Sequence, residues 1–383
     1  MFRARAFVQA LSSGGLFSAN LGNGFGPGRG VRAGRNIEQY PCMFKASGYQ
    51  NGFEIERIAA CDFSRLEKVS NEEILRRARG PEGGERLLRF VTERMGIRTR
   101  YFVPPGMDAL DLARDALGRL LEADPTLREE AEFLIFGGIS NPMPTVCLSA
   151  LLSGEFELRN VSCWDLKSGC STGVLAAIQA LEWFQHGARR GIIVCSETFS
   201  RFTHPETLQM SASVGDGAAA LALRTSSEWK IRGVVHGTDP AYLKSMYVPG
   251  RYPVEIQNYR SQDYVFAFEE KGDTLKKMAE YWVGSLQDLL RQSGVKGEAV
   301  THYFSHQVDA YKNREIARAG GIPNGAVAMN FADFGNMGCP TIFLNYAQWL
   351  ASQPAAFRRG DVVVLHALGG GLSWAGICLE KIE

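Results

Sequence analysis

Shifting the chain by 169 residues lays GCSTGVLAAIQALEW over GCPTIFLNYAQWLAS. Gly169, Cys170, Thr172, Leu175, Gln179 and Leu181 then meet Gly338, Cys339, Thr341, Leu344, Gln348 and Leu350. The same shift carries Arg189-Arg190-Gly191 onto Arg358-Arg359-Gly360, and AEFLIFGG (131–138) onto VTHYFSHQ (300–307). One gap-free offset over strand-like and helix-like segments alike is the mark of an internal duplication. Two similar halves, 48–226 and 227–383, are expected to form one α/β body with a central seam. Equivalent loops would meet near the pseudo-twofold axis, so residues far apart in sequence can converge there.

Within each half, short apolar runs alternate with amphipathic segments. FEIERIAA, EFLIFGG, GIIVCSE, AALAL, KIRGVVHG, HYFSHQ, VVVLHAL and AGICLEKI read as buried strands, and LDLARDALGRLLEA as a helix. Residues 1–47 stand apart: five arginines and many glycines precede the first acidic residue, Glu38. We expect an N-terminal extension without fixed structure, or a start assigned too early with Met43 as the true one. A targeting peptide would suit the charge, but the glycine content opposes an amphipathic helix.

A formal net charge of +1 gives no reason to expect nucleic acid as a partner. No apolar run reaches the roughly 20 residues of a membrane helix, so no membrane insertion is expected. The eight cysteines show no CxxC pair and no regular framework. That argues for reduced thiols in a cytoplasmic setting and against a structural metal site.

SGC followed by a long helical run places Cys170 at a helix N-terminus, where partial positive charge favours a thiolate. SHQ, closing an apolar strand, would present His306 at a sheet edge as base or ion partner. Asn336 precedes the second half's own GCPT. On these residues alone the alternatives stay open. Cys339 rivals Cys170 by symmetry, His306 could be a packed core histidine, and the glycine runs GDGA and GGGLSWAG could be tight turns. Glu197 and His204 are expected near an entrance, and strand alternation cannot say which way His366 faces.

Taken together, WDLKSGCSTG, SHQVD, FGNMG, LHALGGGLSWAG, the GDGA strand end and MGIRTRYF (95–102) resemble the motifs of one family. These are the thiolase-fold condensing enzymes of the β-ketoacyl-ACP synthase III type. The resemblance runs from about residue 52 to the end. It implies a five-layered αβαβα body, a homodimer, and acyl-CoA or acyl-ACP thioesters as substrates with no separate cofactor. Carrier protein or coenzyme A thioesters would be the partners. It implies that Cys170 carries the acyl group, that His306 and Asn336 stabilise the enolate left by decarboxylation, and that the N–H groups of Cys170 and Gly370 form an oxyanion hole. Cys339 becomes the structural counterpart of Cys170.

The departures narrow the reading. Phe90 and Arg94 stand where the family holds the adenine of coenzyme A. Tyr311 replaces an arginine, with Lys312 beside it. Leu208 takes another coenzyme-binding arginine position, and Asp309 replaces the asparagine of the histidine motif. Met143 sits where the dimer partner usually lends a residue to the neighbour's acyl pocket. These changes lean towards specialised metabolism rather than ordinary fatty-acid initiation. An acyltransferase on the same fold and a non-catalytic partner subunit are the alternatives. A degradative thiolase is disfavoured because Ala367 occupies the position of its second cysteine.

Overall fold

The computed structural model describes residues 49–50, 52–77, 84–203, 208–250, 264–268, 273–353 and 357–383. The N-terminal extension proposed for residues 1–47 lies outside them.

Two sheets divide the chain between Ser226 and Trp229. The first contains β1 (Gly52–Ala60), β4 (Phe133–Gly137), β5 (Ser162–Leu166), β6 (Arg190–Thr198) and β7 (Asp216–Ser226), in the order β1-β7-β6-β4-β5. The second contains β8 (Trp229–Thr238), β9 (His302–Ser305), β10 (Val362–Gly369) and β11 (Ser373–Lys381), in the order β8-β11-β10-β9. A two-stranded ribbon pairs β2 (Glu67–Ser70) with β3 (Thr99–Phe102). The helices that matter below are α1 (Gly84–Arg89), α2 (Ala109–Ala123), α3 (Leu148–Glu155), α4 (Thr172–Gln185), α5 (Thr274–Ser293), α6 (Ala310–Ala319) and α7 (Thr341–Ser352).

Side-chain alternation sorts these elements into layers, because successive residues of a strand point to opposite faces. Ile193 and Cys195 of β6, with Ala219, Leu221 and Leu223 of β7, pack inward on α4 and α7. Val363, Leu365 and Ala367 of β10 meet the same helices from the other side. The intervening residues Ile192, Val194, Ala218 and Ala220 turn outward against α2 and α3. Val362 and Val364 likewise turn outward against α5 and α6. Both faces of each sheet are therefore covered, which is why the strands read as unbroken apolar runs. The result is five layers, αβαβα, with α4 and α7 in the middle. α2 starts with a capping box in which Asp108 and Asp111 exchange bonds with each other's backbone N–H.

The two sheets share one strand order, so the duplication seen in sequence is present in the topology. They differ at one edge. The offset places the counterpart of β5 at residues 331–335, and there the chain forms a helical turn, Phe331–Phe334, that leads into Asn336. No helix among the described residues is long and apolar enough to cross a membrane.

Candidate active site

The two central helices begin side by side at the seam between the sheets, and Cys170 lies at the start of α4. The turn into it depends on two glycines. Gly169 has φ +55°, the left-handed region, and a Cβ there would lie 3.0 Å from the Gly370 carbonyl oxygen. At Gly369 a Cβ would lie 2.9 Å from the backbone nitrogen of Cys170 and from the Ser168 carbonyl oxygen. The GGG segment of the second half thus touches the Cys170 turn of the first, backbone to backbone.

Three hydroxyls hold that contact. Ser373 Oγ donates to the Ser168 carbonyl at 2.9 Å and hydrogen-bonds Ser171 Oγ at 2.8 Å. Thr172 Oγ1 accepts the Ser168 N–H at 2.8 Å and donates to the Gly169 carbonyl at 2.7 Å.

Cys170 is 4% exposed. Burial pushes its thiol up to about 12, and the Glu197 carboxyl adds to the rise. The N–H groups of Gly370 and of Cys170 itself point at the sulfur and act the other way. This corrects one expectation from sequence: the helix N-terminus does not by itself make a resting thiolate, because desolvation outweighs it. We therefore expect the rate of iodoacetamide alkylation at Cys170, followed by peptide mass spectrometry, to climb roughly tenfold per pH unit from pH 7 to 9. A plateau by pH 7 would contradict a thiol held this high.

His306 follows the last residue of β9 and is 1% exposed. Its ring is neutral, held down to about 3 by burial, with the Gly338 carbonyl pulling the other way. Neither ring nitrogen has a partner at hydrogen-bonding geometry. The Trp282 ring stacks on it at 6.2 Å between centroids and 23° between planes. Asn336 is 8% exposed, and its Oδ1 accepts the Gly338 N–H at 2.9 Å. That bond engages the oxygen of the amide and not its donor end, Nδ2. Gly338 thus lies between the two side chains, its N–H on Asn336 and its carbonyl beside His306. A Cβ on Gly338 would meet Phe199 and Glu197. Phe199 packs in one apolar cluster with Cys170, and the Glu197 charge bears on the Cys170 thiol. His306, Asn336, Cys170 and Gly370 are in this way brought to one place from both halves.

Cys339 is fully buried, and its Sγ donates to the Gly137 carbonyl at 3.3 Å and to Glu197 at 3.5 Å. Glu197 is not at an entrance. It is fully buried, accepts the Ile139 and Ser140 N–H groups at 2.9 and 3.0 Å, and is raised by burial to about 7. His204 and the side chain of Leu208 lie outside the described residues. His366 faces away from Cys170, between Ser285 Oγ at 2.9 Å and the Tyr303 hydroxyl at 3.0 Å.

Of the expected substrate-binding residues, Phe90 sits half-buried against the Cys170 cluster. It opens a π-helical turn, Phe90–Met95, after α1. Arg94, on the same turn, lies over the Tyr311 ring at 5.3 Å. Lys312 is half-buried next to it, its ammonium disfavoured by burial, and its N–H is capped by Asp309 at 2.9 Å. Phe90, Arg94 and Lys312 therefore gather on one side of the site. Met143 is 40% exposed, in the segment between β4 and α3. In the MGIRTRYF segment, Arg100 is fully buried and donates to Asn71 and the Ala212 carbonyl, so its signal is one of packing.

Sequence reasoning missed Trp282 and Asn313. Trp282 comes from α5, with no motif to link it to His306. Asn313 carried a faint signal, standing four residues after Asp309 on the helix that follows the histidine.

Two family models match the chain. "3-Oxoacyl-[acyl-carrier-protein (ACP)] synthase III" covers residues 164–240, and its C-terminal counterpart covers 290–381. A β-ketoacyl-[acyl-carrier-protein] synthase III of Caldanaerobacter subterraneus is 23% identical over 296 residues, 76% of this chain and 88% of the relative. The 3-oxoacyl-[acyl-carrier-protein] synthase III of Aquifex aeolicus superposes with TM-score 0.73 at 19% identity, covering 86% of this chain and 100% of that one. The priming β-ketosynthase of the R1128 polyketide pathway superposes with TM-score 0.73 at 21% identity, covering 86% and 96%.

Proposed function

The chain is a thiolase-fold enzyme of the β-ketoacyl-ACP synthase III-like kind, and from that premise we propose that it joins two acyl thioesters by decarboxylative Claisen condensation, with Cys170 as nucleophile. The observation that carries this is the pairing of two kinds of unfilled group at one seam. Two backbone N–H groups converge on the Cys170 sulfur, while both buried ring nitrogens of His306 lack a hydrogen-bond partner. Buried polar atoms left unpaired cost about 1–3 kcal/mol each, so a group that pairs them in the complex is expected.

In the first step Cys170 Sγ attacks the donor thioester carbonyl. The negative charge on that oxygen is met by the N–H groups of Cys170 and Gly370. The carbon–sulfur bond of the donor breaks, and the free thiol leaves with the proton that Cys170 gave up. In the second step a malonyl-type thioester loses its carboxylate as CO2, and the electron pair moves into the thioester carbonyl as an enolate. His306 and the Asn336 Nδ2 donate to that oxygen. A neutral imidazole suits this role, since it can donate from one nitrogen without titrating near pH 7. The enolate carbon then attacks the acyl carbon, and the bond to Cys170 breaks to return the sulfur.

Arg94, Phe90 and Lys312 would meet the phosphate-bearing arm of coenzyme A or of a carrier protein, and no further cofactor is needed. Arg94 is already engaged by Tyr311, which weakens a grip on free coenzyme A and favours a role in specialised metabolism. β5 is an edge strand with Trp164 48% exposed, and Met143 is 40% exposed. An open edge with apolar residues supports a homodimer across β5, with Met143 reaching the partner's acyl pocket. A cytoplasmic location accords with the free cysteines.

The test is incubation with acyl-CoA and acyl-carrier-protein donors of graded length, then intact and peptide mass spectrometry. We expect an acyl adduct on Cys170 that is discharged on adding a malonyl thioester, with release of CO2. An unmodified Cys170 with every donor would end the proposal.

A further inference from the structure

We propose that a buried polar relay from Ser285 through His366, Tyr303 and Ser305 to Asn313 positions His306, with Asn313 and His366 as its two principal positioning residues. The inference rests on the reading above, in which His306 acts on the malonyl-type thioester.

An imidazole that orients a substrate is usually steadied by a hydrogen bond on its second nitrogen. On the His306 ring only the Gly338 carbonyl bears on a nitrogen, short of hydrogen-bonding geometry. What holds it is its backbone and its stacking partner. The His306 N–H donates to the His366 carbonyl at 3.0 Å. Its own carbonyl accepts from Asn313 Nδ2 at 2.5 Å. The same Nδ2 donates to Ser305 Oγ at 3.0 Å, and Asn313 Oδ1 accepts the Val308 N–H at 3.3 Å. One carboxamide thus clasps both ends of the turn that carries His306.

Behind that turn, Tyr303 and Ser305 stand two residues apart on β9 and so share one face, where the Ser305 hydroxyl bears on the Tyr303 phenol. Tyr303 meets His366 Nδ1 at 3.0 Å, and His366 Nε2 meets Ser285 Oγ at 2.9 Å. Ser285 stands three residues after Trp282 on α5, so the helix that supplies the stacking ring also anchors the far end of the relay. Every relay member is at most 1% exposed. In so dry a setting each bond is strong and each unmade one is costly, which leaves the network few alternative arrangements. Neither ring nitrogen is committed to the relay, while the ring itself cannot wander.

The experiment uses the full chain and the variants Asn313→Ala and His366→Gln. Cys170 acylation by acetyl-CoA and decarboxylation of malonyl-CoA are timed separately. In parallel, the ring resonances of the six histidines are followed by NMR on 15N-histidine protein. We expect malonyl-CoA decarboxylation to fall roughly tenfold to a hundredfold, as for a displaced reacting group. Cys170 acylation should stay within about twofold, because His306 has no part in the oxyanion contact to the acyl group. The His306 resonances should shift and broaden while those of His302 do not. Equal loss of both rates, an unchanged decarboxylation rate, or unmoved His306 resonances would each overturn the relay. If Asn313→Ala does not fold, His366→Gln carries the comparison. Wild-type protein that fails to decarboxylate malonyl-CoA would sink the functional reading, and the histidine resonances would still judge the relay.

Discussion

Cys170→Ala is expected to abolish the acyl adduct and to lower kcat/KM for condensation by about four orders of magnitude or more. The covalent route is closed when the sulfur is lost, and the oxyanion N–H groups then have no bound acyl carbonyl to stabilise. The expected pattern is more informative than the loss itself. Malonyl-CoA decarboxylation, which the proposed mechanism assigns to His306 and Asn336, should persist within about an order of magnitude in this variant. His306→Ala should do the reverse, keeping the Cys170 adduct and losing roughly a hundredfold to a thousandfold in decarboxylation. Timed mass spectrometry of the adduct and CO2 release check both. A Cys170→Ala protein with full condensation activity would remove Cys170 from the mechanism, and Cys339, its counterpart at the start of α7, would be next to test.

Gly369→Ala should be nearly as damaging, although the change adds one methyl group and touches no reacting atom. The new Cβ would sit 2.9 Å from the Cys170 nitrogen, the Ser168 carbonyl and Ser373 Oγ. Two of these are backbone atoms and cannot swing aside. The GGG segment must back away from the nucleophile turn, and the Gly370 N–H moves with it, off the position of the oxyanion. We expect Cys170 acylation to fall roughly a hundredfold to a thousandfold, the scale of losing one oxyanion donor. Thermal unfolding would separate this from global collapse: a fold that melts near the wild-type temperature but acylates slowly is the expected result. Unchanged acylation would mean that the two halves do not make the contact described here.

The layers were legible from residue pattern. The strands β4, β6 and β10 are built on apolar runs such as FLIF, IIVC and VVVL, as strands covered on both faces must be, and the offset of 169 residues paired β4 with β9 and β6 with β10. The edge strand β5 is where the repeat stops being a guide. SCWDL stays a strand in the first half, while its counterpart folds into a helical turn that delivers Asn336. Sequence similarity across the offset is too weak there to show the change. Cys170, His306, Asn336 and the GGG run stood out because each lies on a motif at a strand or helix end, where local geometry is set by short-range chemistry. Trp282 and Ser373 were hidden because their importance lies in what they touch across the fold, whereas Asn313 grips the turn five to eight residues before it, a contact no motif marks.

By itself the sequence determined the duplicated α/β architecture, the helix start that carries Cys170, and the residue types able to run acyl chemistry. Those follow from periodicity and from local turns, which a chain carries in its neighbouring residues. Only the tertiary structure decided the electrostatics. Cys170 stands at a helix N-terminus, which alone argues for a ready thiolate, yet burial together with the Glu197 carboxyl holds it as a thiol. Glu197, expected near an entrance, is fully enclosed beneath the site. His366, whose facing was open, closes a relay behind His306 rather than joining it at the substrate. Solvation and charge are sums over everything packed nearby, and those neighbours lie tens to hundreds of residues away along the chain.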